Sequence, residues 1–190
     1  MAAETAGAMS DNSASPRWTR WLPLALFGLF AALVLYALIR PASKDVPSRF
    51  VGQALPEFSL PPAAEGRPGL SRADLSQGKP RLLNVFASWC IPCAVESPQL
   101  AQITANGVEV VGIAVRDHRD DLTAFLQRNG NPYARIGADD LSKLQLAIGS
   151  SGVPESFIID GKGTIRYQHI GEIRANDIPM LMQKLAEAEQ

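Results

Sequence analysis

The chain has 190 residues, 46% of them hydrophobic, and a formal net charge of -1 at pH 7. That balance leaves no basic surface for nucleic acid and no polybasic patch for an anionic membrane. Its two cysteines and two histidines do not fall in any spacing that holds a structural zinc ion.

In chain order, residues 1–16 are rich in Ala and Ser, so they bury too little surface to order themselves and read as a disordered tail. From Trp21 to Ile39 no residue is charged. About 19 residues rising 1.5 Å each reach roughly 28 Å, close to the hydrocarbon thickness of a bilayer. A cleaved signal peptide has a shorter apolar region followed by small residues, whereas Tyr36-Ala37-Leu38-Ile39 runs straight into Arg40-Pro41. Residues 17–40 therefore read as an uncleaved transmembrane signal anchor, 41–49 as a polar linker, and 50–190 as one domain.

Within the domain, Pro61 to Pro80 reads as a long connection with a helical turn at Arg72 to Leu75. Leu82 to Phe86 and Val108 to Val115 are nearly continuous apolar runs, the pattern of strands covered on both faces. Asp121 to Arg128 sets Leu122, Phe125 and Leu126 at helical spacing, and Gly130 stands where a glycine ends a helix. Leu141, Leu144 and Ala147 predict another helix. Ser156 to Asp160, the turn Gly161-Lys162-Gly163 and Thr164 to Ile170 predict a hairpin, in which His169 reads as a packed or hydrogen-bonded ring. Ile178, Leu181, Met182 and Leu185 give a final amphipathic helix, capped by Asn176 or Asp177 with Pro179 in its first turn.

Trp89-Cys90-Ile91-Pro92-Cys93 follows the first of the apolar strands. A disulfide between cysteines this close closes almost no loop, so it restrains the unfolded chain weakly and stability is a poor reason for it. Redox chemistry is a better one. At the junction of strand and helix the first thiol meets unpaired N–H groups and the helix dipole, which favour its thiolate. Cys90 is thus expected to be the nucleophile, more exposed and of lower pKa, and Cys93 to resolve the mixed disulfide.

Strand, CxxC, helix, strand, helix, then a proline beside a hairpin and a last helix is the order of a thioredoxin-like domain. The chain resembles the membrane-anchored thioredoxin-like proteins of cytochrome c maturation, the CcmG or DsbE thiol:disulfide interchange proteins. The resemblance rests on Asn84 to Glu96 (NVFASWCIPCAVE), Asn131 to Gly137 (NPYARIG) and Gly152 to Asp160 (GVPESFIID). It implies an α/β thioredoxin-like fold, a central mixed sheet flanked by helices, behind an N-terminal transmembrane helix.

The resemblance also assigns residues. Pro154 matches a cis-proline beside the CxxC, and Val153 and Pro154 would line a substrate groove with Trp89. Asn84 stands where many thioredoxins bury an aspartate. An amide takes up no proton, so an acid-base partner for Cys93 must come from elsewhere, and Glu96 and Glu155 match acidic positions of the family. A carboxylate near the thiols would raise their pKa values and tune the redox potential. Pro98 would kink the helix after the CxxC without ending it. Ser150 and Ser151 stand where family members commonly carry Val-Tyr.

In function the resemblance implies a protein-disulfide reductase that needs no metal and no cofactor beyond the redox-active Cys90–Cys93 pair. Its substrate would be the disulfide of apocytochrome c or a haem-ligation partner, and its electrons would come from a membrane donor of the CcdA or DsbD type. Arg17 and Arg20 before the apolar segment, and Arg40, Lys44 and Arg49 after it, leave the orientation open on charge. The compartment in which disulfides form places the domain in the periplasm, on a single-pass anchor in the inner membrane. A TlpA- or ResA-type thioredoxin for other substrates shares the fold, and a non-catalytic scaffold would tolerate loss of Cys90. Ala87 stands three residues before Cys90, where peroxiredoxins set Thr or Ser, which argues against a thiol peroxidase.

Overall fold

The computed structural model describes residues 21–39 and 49–189, in two units, Met1–Ser43 and Lys44–Gln190. The tail expected over 1–16, the two ends of the anchor over 17–40 and most of the linker over 41–49 lie outside the described residues.

In the first unit Leu22–Ile39 forms an 18-residue helix, α1, with no acidic residue in its first turn and no basic one in its last. Leu24, Phe27, Phe30 and Leu33 are each more than half exposed. At 1.5 Å per residue it is about 27 Å long, under the roughly 30 Å of a bilayer's hydrocarbon core. Among the described residues no helix is long and apolar enough to cross a membrane.

The second unit is built on a five-stranded mixed sheet. Its strands are β3 (Arg81–Phe86), β4 (Val110–Val115), β5 (Arg135–Asp139), β6 (Glu155–Ile159) and β7 (Ile165–Ile170), in the order β5-β4-β3-β6-β7. The β3–β4 and β4–β5 pairs are parallel, and β3–β6 and β6–β7 are antiparallel. All six residues of β3 and of β4 are buried, as continuous apolar runs require when a strand is covered on both faces. Helices α2 (Ile91–Ala105), α3 (Arg119–Asn129) and α5 (Ile178–Ala188) complete the frame, with α2 packed against α3 and α5.

Most predicted elements fall where the periodicity puts them. Gly130 ends α3 with φ 87°, a left-handed value that favours glycine. Ile178, Leu181 and Leu185 are the buried stripe of α5, while Asp177 accepts from the Arg174 amide at 2.8 Å and makes no cap with its side chain. Helix α2 runs through Pro98. His169 is buried, its ring nitrogen 3.2 Å from the Glu172 carbonyl.

Three elements differ. The stretch from Pro61 to Pro80 carries β2 (Leu70–Ser71), which pairs antiparallel with β1 (Ser59–Leu60) ahead of the 3-10 turn Ala73–Leu75. Two-residue strands have no periodicity to detect. The strand β5 has no signal in the sequence, because Arg135-Ile136-Gly137-Ala138-Asp139 holds one large apolar residue. Gly137 is needed there: a Cβ would meet the Leu60 side chain at 2.7 Å. Finally, α4 spans only Lys143–Ala147, with Leu144 and Gln145 buried and Leu141 70% exposed.

Candidate active site

The end of β3 and the start of α2 present the two cysteines as a disulfide, Cys90–Cys93. Cys90 is the N-cap of α2, extended at φ -90°, and its Sγ accepts from the Cys93 amide at 3.2 Å. One orphan N–H of the helix terminus therefore already points at that sulfur, which is the local cause expected to favour a Cys90 thiolate. Both cysteines are buried, Cys90 at 5% exposure and Cys93 at 2%. Around them Trp89, Ile91 and Val95 are more than half exposed, so an apolar rim surrounds a covered disulfide.

Two contacts hold that rim, and neither is legible in the sequence. Asp117 accepts from the Ser88 amide and hydroxyl with its two carboxylate oxygens. The Trp89 indole N–H donates to the Arg116 carbonyl at 3.2 Å, and Arg116 adopts φ 46°, the left-handed region in which a non-glycine side chain is strained. The loop after β4 thus clamps the loop after β3.

One turn past Cys93, on the same buried face of α2, lies Glu96 with no exposed surface. Burial raises its carboxyl pKa from 4.5 to about 7, against the Ile173 amide and the Asn84 side chain, which donate to it and lower it, and with a small push from Glu172. Glu96 Oε1 accepts from Asn84 Nδ2 at 2.9 Å and Oε2 from the Ile173 amide at 2.9 Å. Asn84, the one polar residue in the middle of β3, also donates to Ser156 Oγ at 3.0 Å and accepts from the Tyr133 hydroxyl at 2.8 Å. A buried amide in an apolar strand is costly without partners, and here three of its four valences are filled. Tyr133 also stacks on Phe86, ring centres 4.5 Å apart.

The register pairs Asn84 with Ser156 and Val85 with Glu155. Successive strand residues face opposite sides, so Ser156 turns toward α2 with Asn84 and Glu96, and Glu155 turns to the other face of the sheet. There Glu155 Oε1 accepts from the Ser151 amide at 3.1 Å and its hydroxyl at 2.7 Å, and Oε2 accepts from Gln168 at 3.0 Å. The structure thus joins Glu96, on the cysteine helix, to Asn84 by a hydrogen bond, while Glu155 takes Ser151 and Gln168 as its partners. Ser151, in the stretch that departs from the family pattern, closes a short loop around Val153 and Pro154. The Val153–Pro154 peptide is cis. Carrying the β3–β6 register one step on sets Pro154 beside Phe86, at the end of β3 that leads to the cysteines. Ser150 and Gln145 both donate to the Gly152 carbonyl and pin the same loop.

Among the described residues no three His, Cys, Asp or Glu side chains are grouped to hold a metal ion. Redox chemistry at the sulfur pair is what the assembly offers, and the molecule is a thiol:disulfide oxidoreductase of thioredoxin-like fold. By its sequence the chain belongs to the AhpC/TSA family, whose model matches residues 51–168, and within it to the thiol:disulfide interchange proteins. It is 42% identical over 158 residues to the thiol:disulfide interchange protein DsbE of Escherichia coli K12, covering 80% of this chain and 84% of that one. It is 36% identical over 180 residues to DsbE of Vibrio cholerae, covering 90% and 97%. A crystal structure of a thiol:disulfide interchange protein from Chlorobium tepidum superposes with a TM-score of 0.59 at 26% identity, covering 76% of this chain and all of that one.

Proposed function

We propose that this protein is a membrane-anchored, selective reductant of protein disulfides in cytochrome c maturation, acting on the oxidised cysteines of apocytochrome c or of a haem-ligation partner. The observation that carries this reading is the buried Glu96 carboxyl one turn from Cys93, on a site whose accessible rim is apolar. The Cys90 thiolate attacks one sulfur of the substrate disulfide, bonds to it and releases the other as a thiolate, which takes up a proton. Cys93 gives its proton to Glu96, attacks Cys90 and frees the second substrate sulfur, so that Cys90–Cys93 is oxidised and the substrate gains two electrons. A membrane donor of the CcdA or DsbD type returns the electrons.

A carboxylate beside the thiols opposes thiolate formation, and a less stable thiolate makes the dithiol a better reductant than a strong oxidant such as DsbA. Glu155 contributes by holding the loop that presents Val153 and Pro154, which line the groove with Trp89 and admit an extended chain. Buried Ala87 provides no hydroxyl before Cys90, which supports disulfide exchange over peroxide reduction. Helix α1 is apolar on all sides and has no polar face to give to water, which supports the anchor.

The test is a deletion strain complemented with the wild type or with Cys90→Ser, assayed for holocytochrome c by haem staining. Cys90→Ser should fail to restore haem attachment, and added dithiothreitol should rescue it. Full complementation by Cys90→Ser would leave a scaffold and overturn the reductase.

A further inference from the structure

We propose that Tyr133 is a positioning residue of the redox site: its hydroxyl fixes the Asn84 amide with the NH2 edge toward Glu96, and so sets how tightly Glu96 holds its proton without touching it. This rests on the reading of Glu96 as the carboxyl that serves Cys93.

The geometry fixes the direction of each bond. Tyr133 Oη donates to Asn84 Oδ1 at 2.8 Å, and Asn84 Nδ2 spends its hydrogens on Glu96 Oε1 at 2.9 Å and Ser156 Oγ at 3.0 Å. Stacking on Phe86 accounts for the Tyr133 ring but not for a hydroxyl on a residue buried at 3% exposure. Burial holds that phenol's pKa well above its ordinary 10.0, so it remains a donor and needs an acceptor. If the amide turned over, its oxygen would face Glu96, an arrangement that only a protonated carboxyl satisfies. Amide orientation and Glu96 protonation are therefore linked, and the tyrosine hydroxyl selects the orientation that favours the carboxylate.

Other titratable groups around Glu96 come from every side. Cys90 and Cys93 lie on its own helix or at its cap, and Glu172 precedes Ile173, whose amide binds Glu96. From β7 His169 meets the Glu172 carbonyl, with Asp177, at the start of α5, 3.9 Å from its ring. From β3 and β6, Asn84 and Ser156 are uncharged. Tyr133 and Ser156 both bond the Asn84 amide, and of the two Tyr133 is the one that donates to its oxygen.

The test is a carbon-13 carboxyl titration of Glu96 in the reduced full chain in micelles, labelled at glutamate Cδ and assigned with Glu96→Gln. Tyr133→Phe keeps the ring on Phe86 and should raise the Glu96 midpoint by about one pH unit, the worth of a lost hydrogen bond to a charged group. Asn84→Ala should raise it similarly, and Tyr133→Phe added to Asn84→Ala should move it no further. A folded Tyr133→Phe variant with the wild-type midpoint would overturn the proposal, and so would an equal shift in the Asn84→Ala background. Should Tyr133→Phe not fold, Asn84→Ala alone decides, since an unmoved midpoint there removes the bridge. Loss of the reductase reading shows differently, as holocytochrome c made with Cys90→Ser while these midpoints still shift.

Discussion

Glu96→Gln is expected to abolish most of the pH dependence of the oxidised protein's stability between pH 4.5 and 7. In the unfolded chain this carboxyl titrates near its ordinary 4.5, and in the folded one burial carries it to about 7. Between those values the folded state binds a proton that the unfolded state has lost. Its contribution is therefore fully present below pH 4.5 and is lost as pH rises through 7. At 1.36 kcal/mol per pKa unit the loss is about 3 kcal/mol. Asp160 acts with the opposite sign and lower down: burial raises its pKa, but the Thr164 and Lys162 amides and Arg166 outweigh burial and lower it, so its contribution is lost as pH falls. Glutamine keeps the volume and never charges, but its NH2 must face one of the two donors that serve Glu96, at a cost of about 1–3 kcal/mol at acid pH. Urea unfolding of the oxidised full chain in mild detergent, followed by near-ultraviolet circular dichroism from pH 4 to 8, measures both curves. The wild type should lose stability steadily across the window and the variant should stay nearly level. Parallel curves, or a wild type that gains stability as pH rises from 4.5 to 7, would refute the reasoning.

In the reduced protein at mildly acidic pH, iodoacetamide should label Cys90 before Cys93, and peptide mapping that finds Cys93 labelled first would reverse the assigned roles. Asp117→Ala removes two bonds to Ser88 and should cost about 2 kcal/mol in the same unfolding assay; it should also quicken proteolytic cleavage at the Trp89 loop, and an unchanged loop would show that the clamp is dispensable. An alkaline phosphatase fused after Gln190 should be active, as a periplasmic domain requires, whereas an inactive fusion beside an active cytoplasmic reporter would invert the topology.

What the sequence determined by itself is what short range decides. Most helix and strand periods, the Gly130 stop, the CxxC at a helix N-terminus and the placing of Glu96 one turn behind Cys93 follow from the repeat of a single element, with Leu141, outside α4 and exposed, as an exception. The motif residues around Pro154 were legible as a resemblance, and the polar Asn84 in an apolar strand signalled that partners had to exist. Which partners was decided only by tertiary structure. Tyr133 lies 49 residues from Asn84 and Ile173 lies 77 from Glu96, and no local period carries such pairings. The same holds for Glu155, which strand alternation turns to the face opposite Glu96 only once the β3–β6 register is known. The strand β5 and the β1–β2 pair are likewise made by their neighbours, since so few apolar residues in so short a run gain a strand only when an adjoining edge supplies its hydrogen bonds.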